Sequence, residues 1–183
     1  MRNDCICVIL TGGQSRRMGS DKALLTLDGE TLSLRLGQRM AAFAPVYFSV
    51  DRAGRFPVGG YGELPDVYPG QGPLNGLVSA FRQTDAAYAL LVATDMPNVS
   101  PAAAEHLAEN IGSYDVCLYG QEPLFALYSR ACLAAAERCL EEGKRSMRAL
   151  LERVDLLRLV PEEEGLFANL NTPEEWARYR NGQ

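Results

Sequence analysis

The run Thr11-Gly12-Gly13-Gln14-Ser15-Arg16-Arg17-Met18-Gly19-Ser20-Asp21-Lys22 gathers glycines, two arginines and a lysine in one short stretch. Glycine lets backbone N–H groups converge on phosphate oxygens, because no Cβ blocks the approach. Arginine adds a forked set of donors and lysine a compact charge. Such a loop suits the cradling of a nucleoside triphosphate. It is not a P-loop, since Gly-x-x-x-x-Gly-Lys-Ser/Thr is absent, and Gly-x-Gly-x-x-Gly is missing too. A solvated surface loop with chance charges is the competing reading. Position after an apolar run, charge and spacing together weigh against it.

A second apolar run, Tyr88 to Ala93, ends in Thr94-Asp95-Met96-Pro97. A carboxylate there, facing a phosphate loop, suits Mg²⁺, which takes hard oxygen ligands and keeps several waters. A turn aspartate is the plainer alternative. Asp66 precedes the Gly72-Pro73 turn and can accept bonds from the base or ribose of a nucleotide. For Asp51, ligand contact and an ordinary solvated turn are equally open. Asn169 and Asn171 flank Leu170 at period two, so both can project from one face of an extended segment. They are candidates for holding the acceptor or completing a magnesium shell, although Asn171 also directly precedes a capped helix. Gly143-Lys144-Arg145-Ser146-Met147-Arg148 is a second basic cluster. Arg145 within it can hold an anionic acceptor or belong to a solvated helix end. His106 reads as structural.

The elements that must position these groups follow from periodicity. Cys5 to Leu10 and Tyr88 to Ala93 are continuous apolar runs, as expected for strands buried on both faces of a parallel sheet. Val46–Val50, Asp115–Tyr119, Pro123–Tyr128 and Leu156–Val160 supply further strands. Asp28-Gly29 marks a tight turn. Helices are expected over Thr31–Ala42, from Pro73 to about Gln83, from a Ser100 cap to about Asn110, and over Ala131–Glu142 and Arg145–Arg153. Thr172-Pro173-Glu174-Glu175 carries a capping-box pattern that opens the last helix. Arg52 to Gly72 reads as loop. Strands that alternate with helices give an α/β class: a mostly parallel sheet with helices on both faces. Residues 1–183 read as a single domain. In such sheets ligands bind beyond the carboxyl ends of strands, which marks the loop after Leu10 and the turn after Ala93.

Bulk properties narrow the partners. A formal charge of −5 disfavours nucleic-acid and membrane-surface binding, both of which need a basic field. No apolar run approaches the roughly 20 residues that cross a bilayer. The first apolar run is too short for a signal h-region, so a cytoplasmic protein is expected. Five cysteines without a CxxC read as reduced thiols packed as small hydrophobes.

Leu10-Thr11-Gly12-Gly13-x-Ser15-x-Arg17-Met18-Gly19-x-Asp21-Lys22 resembles the signature of the molybdenum cofactor guanylyltransferases. The likeness continues along the chain through Asp66 with Gly72-Pro73-Leu74-x-Gly76-Leu77, Thr94-Asp95-Met96-Pro97, Pro123 to Tyr128, and Asn169 to Glu174. Asp51 departs from it, standing where the family carries an asparagine that contacts nucleotide. Aspartate accepts hydrogen bonds but cannot donate them. The resemblance implies a Rossmann-like nucleotidyltransferase fold. It implies GMP transfer from GTP to the phosphate of molybdenum-bearing molybdopterin, with Mg²⁺ as cofactor. It assigns Leu10, Thr11, Gly12, Gly13, Lys22, Asp51, Asp66 and Asp95 to the nucleotide, and Lys22, Asp95 and Arg17 to the chemistry. Asp95 would hold the metal, and Asn169, Asn171 and Arg145 the acceptor. Implied protein partners are a molybdenum insertion protein and molybdoenzyme chaperones. The rivals are a CTP-using enzyme on the same pterin, a sugar- or isoprenoid-phosphate nucleotidyltransferase, and a non-catalytic nucleotide-binding adaptor.

Overall fold

In the computed structural model, residues 2–11, 26–27, 29–54, 59–161, 165–168, 170 and 172–181 are described. The first apolar run forms β1 (Cys5–Leu10), with every residue buried. It is flanked by two parallel neighbours, β4 (Val46–Val50) and β6 (Tyr88–Ala93). A strand with neighbours on both sides and helices on both faces has no polar surface to meet, which explains the continuous apolar sequence.

Odd and even residues of β1 feed different cores. Cys5, Cys7 and Ile9 pack into a cluster with α1 (Leu32–Met40) and α3 (Pro101–Asn110). Ile6, Val8 and Leu10 join α2 (Pro73–Gln83), α4 (Leu133–Glu141) and α5 (Met147–Leu151) on the opposite face. The cysteines are all free and buried. Burial pushes the Cys5 thiol up to about 12, so it packs as a small hydrophobe and not as a thiolate.

The main sheet has seven strands in the order β5-β4-β1-β6-β8-β7-β9. Here β5 is Gly62–Pro65, β7 Val116–Tyr119, β8 Phe125–Ser129 and β9 Leu156–Leu159. Only β8 runs against its neighbours, β6 and β7. A separate hairpin pairs β2 (Thr26–Leu27) with β3 (Glu30–Thr31) around the Asp28-Gly29 turn.

Four sequence expectations need correction. The stretch from Arg52 to Gly72 is not all loop, because β5 pairs with β4 as the sheet's outer strand. Only Leu64 of that strand is buried, so its apolar pattern is too thin to read. Arg145 does not open a helix: Ser146 caps α5, which starts at Met147. The helix expected from Ala131 begins as a 3-10 turn, Arg130–Cys132, before α4. Thr31, expected inside the first helix, is its cap. The caps at Ser100 and Thr172 stand as read, and Ser100 caps α3. Thr172 and Glu175 form the capping box of α6 (Pro173–Arg180). Among the described residues, no helix is long and apolar enough to cross a membrane.

Candidate active site at the carboxyl edge of the sheet

Strand register sets which residues leave the sheet together. Leu10 pairs with Ser49 on one side and with Ala93 on the other, and Val50 pairs with Pro65. Thr11, Asp51, Asp66 and the pair Thr94-Asp95 therefore emerge side by side at one edge. Thr11 is pinned there: its N–H and its Oγ1 both donate to the Ser49 carbonyl, at 3.3 and 2.5 Å. The Asp66 N–H donates to the Val50 carbonyl at 2.8 Å, which carries the pairing of β5 one step past the strand. Among the described residues, five of the six buried polar side chains belong to this edge and the helix behind it, the sixth being Ser33 of α1. Thr11, Ser49, Asn75, Ser79 and Thr94 all lie on the strand ends or on the helix behind them. Buried polar groups are costly unless they bond, so their concentration marks a surface shaped for something other than packing.

Gly76 brings α2 close against this edge. A Cβ added there would stand 2.8 Å from Leu10 Cδ2 and 3.0 Å from Ser49 Oγ. The glycine of Gly72-Pro73-Leu74-Asn75-Gly76 is thus a packing requirement of the helix that backs the site.

The Asp95 turn is held from three directions. Met96 N–H donates to the Ala93 carbonyl at 3.3 Å. Arg39 of α1 reaches across to donate to the carbonyls of Pro97 and Val99. From the far end of the chain, the Leu170 N–H donates to the Asp95 carbonyl at 2.9 Å. That last bond ties Leu170 to the turn. Nearby in the chain, Phe167 has its ring 5.7 Å from Tyr119 and 5.9 Å from Phe125. His106 serves this aromatic cluster, its Nδ1 2.9 Å from the Tyr119 hydroxyl. Its role is structural, as its place in the sequence suggests.

A second carboxylate stands near Asp95. Strand β8 begins where β6 ends, and the Ala93 N–H donates to the Leu124 carbonyl at 2.9 Å. The turn leading into β8 thereby presents Glu122 to the edge. One oxygen of Glu122 accepts the Leu124 N–H at 2.9 Å. Burial pushes its carboxyl above the ordinary value; the Leu124 amide pulls the other way, and the charge of Asp95 adds to the rise. Glu122 went unremarked in the sequence. Its signal was its place directly before Pro123-Leu124-Phe125, at the start of a returning strand.

Asp66 is half-buried. Burial raises its carboxyl, the Asn75 side chain opposes the rise, and Asp51 adds to it. Asp51 itself is exposed, and its Oδ1 accepts the Arg52 N–H at 3.0 Å.

Of the expected acceptor residues, Arg145 is the one among the described residues. The carbonyl of Arg145 would lie 3.7 Å from a Cβ on Gly72, so Arg145 sits beside the start of α2. Its side chain is exposed, whereas neighbouring Lys144 is paired with Glu142 at 2.8 Å. Leu166 and Phe167 instead pack on the α1 and α3 face. Gly12, Gly13, Arg17, Lys22, Asn169 and Asn171 lie outside the described residues.

Carboxylates from Asp51, Asp66, Asp95 and Glu122 thus stand along one edge. A triphosphate brought there needs cations between itself and these groups. The basic loop that starts one residue after Thr11 carries Arg16, Arg17 and Lys22. Among the described residues no three His, Cys, Asp or Glu side chains form a metal cluster of their own.

Comparison with known proteins agrees with this geometry. A family model described as "MobA-like NTP transferase domain" matches residues 7–159. A protein of Pelotomaculum thermopropionicum named "Probable molybdenum cofactor guanylyltransferase" is 37% identical, over 94% of this chain and 90% of its own length. One of the same name from Opitutus terrae is 40% identical, over 94% of this chain and 93% of its own. The crystal structure of molybdopterin-guanine dinucleotide biosynthesis protein A from Archaeoglobus fulgidus superposes with a TM-score of 0.82 at 26% identity. It covers 96% of this chain and 97% of that one.

Proposed function

Because the chain belongs to the MobA-like NTP transferase family, and within it to the molybdenum cofactor guanylyltransferases, we propose that it transfers GMP from GTP to molybdenum-bearing molybdopterin. The products are the molybdopterin guanine dinucleotide cofactor and pyrophosphate. Residues 1–183 act as one nucleotidyltransferase domain. The observation that carries the reading is the register that brings Thr11, which opens the glycine-arginine loop, beside the Thr94-Asp95 turn.

The acceptor phosphate is already anionic, so no strong general base is needed. Its oxygen attacks the α-phosphorus of GTP in line. A new P–O bond forms as the bond to the bridging oxygen of the β-phosphate breaks, and pyrophosphate carries that electron pair away. The protein's task is positioning and charge compensation. Amides around Gly12 and Gly13 cradle the nucleotide, with Leu10 and Thr11 forming the floor beneath them. Arg17 and Lys22 offset charge on the transferring and leaving groups. Asp66 accepts hydrogen bonds from guanine or ribose, and Asp51 lines the same side. Asn169, Asn171 and Arg145 hold the acceptor.

The donor set suits a divalent cation. Asp95 and Glu122 offer hard carboxylate oxygens whose mutual repulsion such an ion relieves, and Mg²⁺ completes its shell with phosphate oxygens and water. Bound there, magnesium supplies polarisation of the α-phosphate. Five unpaired, buried thiols suit the reducing cytoplasm. Delivery of pterin by a molybdenum insertion protein and hand-over to molybdoenzyme chaperones fit this chemistry.

The test supplies radiolabelled GTP and molybdenum-loaded molybdopterin with Mg²⁺. Labelled guanine dinucleotide should form with stoichiometric pyrophosphate. Tight GTP binding without either product would make the protein an adaptor.

A further inference from the structure

The segment that follows β5 is fastened by side chains that an ordinary packing helix would not carry. Asn75 and Ser79 lie one turn apart on α2 and are both 0% exposed. The Val67 N–H donates to Ser79 Oγ at 2.9 Å, and the Tyr68 N–H donates to Asn75 Oδ1 at 3.0 Å. The serine hydroxyl also lies 3.4 Å from the same Asn75 oxygen. Two consecutive backbone donors directly after Asp66 are therefore captured by one buried polar pair. Asn75 Nδ2 is buried and meets no acceptor at bonding geometry. The Asp66 carboxylate is nonetheless near enough to feel it as a donor. A leucine or alanine at either position would fill the helix face without leaving a buried amide, so packing alone does not account for the pair.

We propose that Asn75 and Ser79 are positioning residues for the nucleotide site. They fix the Val67 and Tyr68 amides against α2, and the buried Asn75 amide beside Asp66 sets where its carboxylate stands at the edge. The inference rests on Asp66 binding nucleotide, as proposed above. In its strongest form Asn75 acts only through Asp66. Removing it then has no further effect once Asp66 is gone.

A double-mutant cycle tests this, with GTP affinity read by titration calorimetry beside Tm for the full chain. Asn75→Ala should weaken GTP about tenfold, the scale of one hydrogen bond to a charged group. Asp66→Ala should weaken it at least as much. The double variant should match Asp66→Ala alone. Ser79→Ala should weaken GTP, and Ser79→Thr, which keeps the hydroxyl, should restore it. If Asn75→Ala does not fold, Asn75→Asp keeps the shape and the acceptor for Tyr68 while removing the donor, and should give the same loss. An Asn75 variant with lowered Tm but wild-type GTP affinity would overturn the proposal, as would additive losses in the double variant. Wild-type affinity in Asp66→Ala would instead remove Asp66 from the nucleotide site and the proposal with it.

Discussion

Strands β5, β4, β1 and β6 end at the crevice, whereas β8 begins there. The parallel half delivers residues in the turns that follow strands: Thr11, Asp51, Asp66 and Asp95. The reversed strand delivers a residue from the turn that precedes it, Glu122. The turns after β5 and β6 lead into helices, and their glycines and caps are readable. A turn before an antiparallel strand is a short connection with few constraints. The difference teaches that one sheet edge can be furnished from both chain directions, with only one of them strongly marked in sequence.

If the parallel half carries the chemistry, its Asp95 is the point where that half breaks. Asp95→Asn keeps the shape but removes charge. Transfer should fall on the order of a hundredfold or more, as when a main electrostatic element is deleted. Single-turnover pyrophosphate release across a magnesium titration reads this, and an unchanged profile would make Asp95 a turn residue only. Lys22→Ala tests the loop that Thr11 opens. GTP binding should weaken and transfer should slow by roughly tenfold, with Tm preserved; wild-type kinetics would exclude Lys22 from the site.

Gly76→Ala probes the wall behind the same half. The new Cβ meets Leu10 and Ser49 at or inside normal contact. A loss of about 1–3 kcal/mol is expected, seen as a Tm lowered by several degrees. An unchanged Tm would show that α2 can move away freely.

Glu122→Gln addresses the reversed strand and should have the smallest effect. Its carboxyl is raised above the ordinary 4.5 in the fold. The folded state therefore binds that proton more tightly than the unfolded chain. Wild-type stability declines as pH rises from about 4.5 through the raised value, and glutamine removes this loss. In metal-free buffer the variant should gain on the order of 1–3 °C in Tm at neutral pH and nothing below the window. A gain that persists at low pH would point to packing, not charge.

Most of the sheet was legible because its strands are extreme: nothing but a doubly covered strand reads Cys-Ile-Cys-Val-Ile-Leu. The helix starts were legible because Pro73, Pro101 and Thr172 stop and start the chain by local chemistry. β5 was hidden because an outer strand with one buried residue carries no period. Asp95 could be inferred from its strand and its turn, but the Leu170 bond to its carbonyl joins residues distant in the chain and leaves no local trace. Asn75 was hidden for a related reason. Its value lies in the Tyr68 backbone amide, which sits elsewhere in the sequence, and a lone asparagine in a helix does not announce it.

Base choice is the central claim, and the glycine pair is where it is written. The resemblance assigns Gly12 and Gly13, which stand together, to the nucleotide. The deciding measurement is pyrophosphate release with molybdenum-loaded molybdopterin and Mg²⁺, run in parallel with GTP and CTP. A clear preference for GTP in kcat/KM is the expected result. Equal or faster turnover of CTP would contradict the guanylyl assignment while leaving the fold as described.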